Sequence, residues 1–254
     1  MPAFEKYSAF YNLLYADKDY AAETEYITRV IRGHSPSAQT ILELGSGTGI
    51  HGRLLANKGF HVHGIERSPD MVGRAQSVKP SSADDIGSFH CEVGDICTTQ
   101  IGRTFDAVIA LFHVISYQAT DQELRAAFQV AADHLAPGGL FLFDVWHGPA
   151  VLSQGPSKRV KEVANEQYRV KRTASPEVDP NRSTVKVVYE FDCEERASGE
   201  KWSFAEEHLM RYFSPSEVDL LARCCALTQL MTEEFLTAKP PSPSTWGVAY
   251  ALRK

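Results

Sequence analysis

Ile41-Leu42-Glu43-Leu44-Gly45-Ser46-Gly47-Thr48-Gly49 decides how this chain is read. A short, mostly apolar run suits a buried strand, and the segment Ile50 to Asn57 after it suits a helix. The glycines between them allow a tight turn and let backbone approach a ligand with no Cβ in the way. A nicotinamide site prefers Gly-x-Gly-x-x-Gly, whereas this loop is Gly-x-Gly-x-Gly. Glu43 at the strand end also disfavours a pyrophosphate.

The alternation continues downstream. His61 to Glu66 reads as a second strand, and Ser68-Pro69 starts a helix over Asp70 to Val78, with serine as N-cap and proline at N1. Phe89 to Val93 and the continuous apolar run Phe105 to Phe112 read as strands three and four. Thr120 to Leu135 is an amphipathic helix ending at Pro137-Gly138-Gly139, and Leu140 to Val145 is a fifth strand. Strands alternating with helices imply a parallel sheet. Upstream, Ala21 to Arg32 sets Ala22, Tyr26, Val30 and Ile31 on one helical face, and His34-Ser35-Pro36-Ser37 breaks it.

From Gly148 to Tyr212 the period changes to two. Val160 to Val163, Gln167 to Arg172, Val185 to Phe191 and Trp202 to Leu209 read as strands, with turns at Ser175-Pro176, Asp179-Pro180-Asn181 and Ser198-Gly199. Ser214-Pro215-Ser216-Glu217 is a capping-box helix start. Leu227 to Leu236 and Trp246 to Leu252 close the chain as strands joined through Lys239 to Pro243. The organisation expected is an amino-terminal helical cap over 1–39, a core over 40–147 and 213–254, and an antiparallel β insertion over 148–212 that covers the carboxyl end of the sheet as a substrate platform.

The 254 residues are 43% hydrophobic and carry 26 basic against 32 acidic side chains, a net charge of −6. That balance gives no global counter-charge for nucleic acid. No apolar run approaches the roughly 18 residues of a membrane helix, and the start does not read as a signal peptide. Five cysteines, two adjacent, imply no disulfide framework, so a cytoplasmic protein with reduced thiols is expected. No Cys-x-x-Cys or His-Glu-x-x-His is present, so no metal is expected.

Two acids flank the glycine loop in sequence. Glu66, at the end of the second strand and seventeen residues after Gly49, suits the hydroxyls of a ribose. Asp95 in Gly94-Asp95-Ile96 can accept from an adenine amino group with Ile96 against the ring. With ELGSGTG, GIERSPDM, GDI, FDAVIALF and LAPGGLFLFD in order over residues 40 to 145, the chain resembles class I S-adenosylmethionine-dependent methyltransferases. YNLLYADKDYAAE and the β-rich insertion resemble a narrower group, bacterial sugar methyltransferases that include nucleotide-linked amino-sugar N,N-dimethyltransferases.

The resemblance implies an α/β fold: a Rossmann-like seven-stranded sheet whose last strand is antiparallel, with the β insertion added. It implies S-adenosylmethionine as methyl donor, S-adenosylhomocysteine as product, a small-molecule acceptor and, as an assembly it allows, a homodimer. The cofactor set carried over is Tyr11, Tyr20, Glu43, Gly45, Gly47, Gly49, Glu66, Arg67, Met71, Asp95, Ile96, Leu111 and Phe112. His113 and Tyr117 are the candidates for catalysis, and Asp144, Trp146 and His147 for lining the acceptor pocket.

Two places depart from that narrower group. Tyr117 stands where a histidine is frequent. Ser244-Thr245-Trp246-Gly247 replaces a Gly-Arg-Gly that offers a cation to the nucleotide's phosphates, so Arg159, Arg169, Lys171, Arg172 or Arg211 would have to supply the charge. The function expected is methyl transfer to a sugar amine or hydroxyl. A different small-molecule or protein acceptor and a non-catalytic cofactor-binding module stay open at this point.

Overall fold

A computed structural model describes residues 7–78 and 87–254; the first six residues of the expected cap lie outside them. Two amino-terminal helices, α1 (Tyr11–Leu14) and α2 (Tyr20–His34), precede an alternating series. The series is β1 (Thr40–Leu44), α3 (Ile50–Asn57), β2 (His61–Glu66), α4 (Pro69–Ser77), β3 (Ser88–Val93), β4 (Phe105–Ala110), α5 (Asp121–His134) and β5 (Leu135–His147). After α6 (Gly148–Gln154) come β6 (Arg159–Ala164), β7 (Tyr168–Asp179), β8 (Thr184–Glu195) and β9 (Lys201–Phe213). The chain ends with α7 (Pro215–Cys224), β10 (Thr228–Glu234) and β11 (Gly247–Arg253).

The core sheet has the order β3-β2-β1-β4-β5-β11-β10. Its first five strands are parallel, and β11 runs antiparallel between β5 and β10. Alternate residues of the central strands serve opposite faces, as a two-residue period requires. Leu42, Leu44, Val108, Phe141 and Phe143 pack under α5 and α7, while Ile41, Ala107, Ile109, Leu140 and Leu142 pack under α2 and α3. Helix starts follow their local chemistry. Ser68 accepts from the Met71 N–H with Pro69 in the first turn, and Thr120 and Glu123 form a reciprocal capping box on α5.

Strands β6 to β9 form an antiparallel run in register with one another. The last pair of β9, Tyr212 and Phe213, joins Trp146 and His147 of β5 in parallel. On its other edge Trp146 pairs with Gly247 of β11. Trp146 therefore sits where the two sheets fork. The amino-terminal segment packs on the β insertion: Tyr7, Phe10 and Leu14 share a buried cluster with Val170, Phe191 and Cys193.

Four local readings change. Ser175-Pro176 is no turn, because β7 runs straight through it. β6 stops opposite Ala174, so Pro176 pairs only with β8 and needs no second ladder donor. β4 ends at Ala110 instead of Phe112, because the His113 N–H turns toward the Asp144 carboxylate. Ala22 is exposed, and the buried face of α2 instead includes Glu23, which pairs with Lys18 and His51. Pro137-Gly138-Gly139 lies inside β5, where Gly138 and Gly139 exchange backbone bonds with Lys254. All five cysteines are free thiols, with Cys91, Cys193 and Cys225 buried. Among the described residues no helix is long and apolar enough to cross a membrane.

Phe128 of α5 is fully buried against Phe141 and Phe143, with ring centroids 5.5 and 5.3 Å away. Phe128→Ala should cost about 3–5 kcal/mol in urea unfolding. Leu220→Ala, at an exposed position, should change it by less than about 0.5 kcal/mol.

Candidate active site

The carboxyl ends of the parallel strands open into a cavity of about 1300 Å³. Its floor carries Gly45, Gly47, Glu66, Asp95, Leu111 and Trp146, one or more from each strand end. Its roof carries Tyr7, Tyr11 and Tyr15 from the amino-terminal segment and Arg159, Arg172 and Tyr189 from the β insertion.

The glycine loop is left-handed at Gly45, Gly47 and Gly49. A Cβ on Gly45 would lie 2.6 Å from Val114, so packing alone requires glycine there. Gly47, at φ +54°, is different: a Cβ would meet only the Met71 sulfur at 3.9 Å, and the backbone faces open cavity. Glu66 ties this loop to α4. It accepts from the N–H of Gly47 at 2.9 Å and of Ser68 at 2.8 Å while lining the cavity. Burial raises its carboxyl above the usual range, and the backbone donors of Ser68 and Gly47 pull against that shift. Thr48 hydrogen-bonds Asn12, joining the loop to the amino-terminal segment. Asp95 caps its own turn by accepting from the Cys97 N–H at 2.8 Å and also lines the cavity, next to Ile96.

On the far side, Phe112 and His113 are consecutive left-handed residues, each at φ +62°. Such backbone is strained for non-glycine side chains and persists where surrounding structure over-determines it. Asp144 supplies that hold: its carboxylate accepts from the His113 N–H, and Oδ2 lies 2.7 Å from Nδ1. Burial opposes ionisation of Asp144, yet His113 holds the carboxyl below its usual range. Tyr117 also lines the cavity, and its Oη lies 2.9 Å from Nδ1 of the buried His208.

Of the residues expected at the site, Tyr11, Gly45, Gly47, Glu66, Arg67, Met71, Asp95, Ile96, Leu111, Phe112, His113, Tyr117 and Trp146 line the cavity. Tyr20, Glu43, Gly49, Asp144 and His147 are not on its wall. Tyr20 packs on His51 and under the Lys18 ammonium. Glu43 is buried behind the loop, where Oε2 finds no hydrogen-bond partner among the described residues and burial pushes the carboxyl up to about 8 against the pull of Arg53. Gly49 faces Phe89. Asp144 is 2% exposed and acts on His113 from behind. His147 is buried with Nδ1 3.1 Å from the Thr245 carbonyl, and burial lowers its pKa.

The candidate cations also separate. Arg159 and Arg172 line the cavity, Arg211 is paired with Asp121 and Glu217, and Arg169 and Lys171 are exposed off the wall. Sequence reasoning missed Tyr7, Tyr15, Tyr189 and His208. Only the aromatic and histidine content of the amino terminus and of the alternating strands could have pointed to them.

An open backbone at Gly47 beside a carboxylate at the end of β2 fits the methionyl and ribose parts of S-adenosylmethionine, and the strand order is that of the Rossmann-like methyltransferases. Residues 41–139 match the methyltransferase domain family. The chain is 29% identical to a dTDP-3-amino-3,4,6-trideoxy-α-D-glucopyranose N,N-dimethyltransferase of Streptomyces venezuelae, over 82% of this chain and 84% of that one. It is 35% identical to a dTDP-3-amino-3,6-dideoxy-α-D-glucopyranose N,N-dimethyltransferase of Streptomyces fradiae, over 54% of this chain and about half of that one (51%). Its fold superposes on Streptomyces venezuelae DesVI with a TM-score of 0.77 and 25% identity, covering 98% of both chains. The domain match and these relatives support an S-adenosylmethionine-dependent methyltransferase enzyme.

Glu66→Ala should weaken S-adenosylhomocysteine binding in isothermal titration by about 1–3 kcal/mol, because a charged acceptor is removed; equal affinities would take Glu66 out of the site. Gly47→Val should weaken it further.

Glu43 gives a separate, pH-dependent expectation. Folded, its carboxyl keeps a proton up to about pH 8, whereas in the unfolded chain it ionises near about 4.3. Between those values the folded state binds more protons, so this group's contribution to stability falls as pH rises. Glu43→Gln should therefore gain on the parent, by a few kcal/mol as an order of magnitude, between about pH 5 and pH 8 in urea titrations. An unchanged difference across that range would mean an ionised Glu43.

Proposed function

We propose that the enzyme methylates the amino group of a sugar carried on a nucleoside diphosphate. The observation that carries this reading is Arg172. Its guanidinium is half-buried on the cavity wall, donates through Nη1 to Tyr7 Oη at 3.1 Å and Tyr15 Oη at 3.2 Å, and lies over the Tyr189 ring. No carboxylate pairs with it among the described residues, and its buried Nε has no hydrogen-bond partner there. A half-buried cation without a counter-ion calls for an anionic ligand, and a diphosphate suits a guanidinium fork. Exposed Arg159 on the same wall adds a second positive group. A relative matched over 82% of this chain carries a dTDP-linked amino sugar in its name.

When bound, S-adenosylmethionine supplies a methyl group made electrophilic by its sulfonium leaving group. In this reading Glu66 accepts from the ribose hydroxyls, and Asp95 and Ile96 hold the adenine. Gly45 and Gly47 let the backbone approach the methionyl chain, with Arg67, Met71, Leu111, Phe112 and Tyr11 walling the cofactor. Trp146, His113 and Tyr117 face the acceptor. Asp144 orients His113 so that its ring positions the attacking group. Much of the rate then comes from alignment and exclusion of water, because an amine needs only its neutral form to attack.

Arg172→Met should raise KM for a dTDP-linked 3-amino sugar by about 10- to 100-fold, the loss of a charge-assisted contact worth about 1.5–3 kcal/mol. S-adenosylhomocysteine affinity should stay at the parent value, and Arg172→Lys should recover part of the loss. A dTDP sugar with a hydroxyl in place of the amine should be a poor acceptor. Equal KM in parent and Arg172→Met, or equal use of the hydroxyl sugar, would overturn the acceptor assignment.

A further inference from the structure

We propose that Tyr117, His208 and Glu206 form a relay that carries the proton released by the acceptor amine away from the cavity. The inference rests on the amine reading above. The three groups lie one after another from the cavity wall inward. Tyr117 lines the cavity, and its Oη is 2.9 Å from His208 Nδ1. His208 Nε2 is 3.5 Å from Glu206 Oε2, and Glu206 Oε1 accepts from the Tyr7 N–H at 2.9 Å. His208 and Glu206 are 1% and 2% exposed, so the far end of the chain is closed to water. Residues 206 and 208 share one face of β9, and Tyr117 comes from the turn after β4. Only the folded sheet brings them together.

The surroundings suit a transient imidazolium. Tyr7 from the amino-terminal turn, Tyr189 from β8 and Tyr117 all pack edge to face with the His208 ring, with centroids 5.5, 4.8 and 5.7 Å away. The Glu206 carboxyl lies beside it. Arg172 of β7 lies beyond Tyr189 and Tyr7 and is the nearby cation. Burial raises the Tyr117 phenol well above its ordinary pKa. Tyr117 therefore rests as an O–H that donates to His208 Nδ1, and it can pass its proton on only as it receives another.

The balance is simple. The amine nitrogen forms a bond to the methyl carbon as the carbon–sulfur bond breaks, and that electron pair stays on sulfur. The product ammonium gives one N–H proton to Tyr117 Oη. The Tyr117 proton moves to His208 Nδ1, and the resulting imidazolium keeps its Nε2–H toward Glu206. The amine is neutral again and can attack a second time; when product leaves, His208 returns its proton through Tyr117 to solvent in the open cavity, which resets the relay. His208 and Glu206 touch no substrate and are positioning residues that act through Tyr117.

Two measurements test this. In acceptor-free protein with 15N-labelled histidine, His208, assigned by its loss in His208→Asn, should carry its proton on Nε2. Its Nδ1 should be an acceptor whose resonance shifts in Tyr117→Phe. A proton on Nδ1 with bare Nε2 would overturn the relay, since the nitrogen facing Tyr117 could then accept none from it. In steady-state assays with a dTDP-linked 3-amino sugar, His208→Asn keeps a hydrogen-bond acceptor but cannot take a proton. It should lower kcat by about 100-fold or more, with both KM values within about twofold. Tyr117→Phe should lose a similar factor, and the double variant no more than either single one.

S-adenosylhomocysteine binding by His208→Asn reports its folding; if it fails to bind, Tyr117→Phe and the parent spectrum decide. A parent-like kcat in His208→Asn, or multiplicative losses in the double variant, would overturn the relay. If the parent methylates no amine, the acceptor reading fails, and the tautomer measurement still decides the hydrogen-bond chain on its own.

Discussion

The carboxylate of Glu66 ties the left-handed loop after β1 to the first turn of α4 through the N–H groups of Gly47 and Ser68. Two strand ends are thereby fixed relative to one another, and a charge is left facing the cavity. Burying that carboxylate is costly, as its raised pKa reflects. The cost is accepted where backbone donors offset part of it. Further contacts gather at this tie. Met71 lies near Gly47, and Thr48 reaches Asn12 so that the amino-terminal segment is anchored to the same loop.

The opposite wall rests on a second buried acid. Asp144 holds two left-handed, non-glycine residues in place and orients the His113 ring. Both acids act on a neighbour that faces the ligand or on the backbone that shapes the cavity. Glu66, Arg67 and Asp95 line the cavity from the strand ends, and Arg172 and Arg159 line it from the β insertion.

The roof has its own logic. Strands with a two-residue period bury one face, and the core sheet reaches β9 through only two residue pairs. The aromatic amino-terminal segment fills the remaining need, with Tyr7, Phe10 and Leu14 against Val170 and Phe191. Cap and insertion cover one another, so neither is an independent ornament on the core. The same packing sets Tyr7 beside Arg172, Glu206 and His208, where it lines the cavity as well.

The alternation of apolar runs, the glycine loop and the acid at the end of β2 were legible along the chain, because each is a local pattern with a local physical cause. The order β1, α3, β2, α4 and β3, the antiparallel last strand and most of the cavity floor follow from them. The ends of elements were less legible. Pro176 reads as a turn until β6 is seen to stop opposite Ala174, and Phe112 reads as strand until Asp144 takes the His113 N–H. What only the tertiary structure decided was partnership across distance. Of five candidate cations, Arg172 reaches the cavity and Arg211 is consumed by Asp121 and Glu217. Asp144 and Glu43 are buried behind the wall they were expected to form. Tyr117 meets a histidine 91 residues away. Side-chain orientation and desolvation are set by neighbours that sequence spacing does not encode, and those neighbours divide a wall residue from a support behind it.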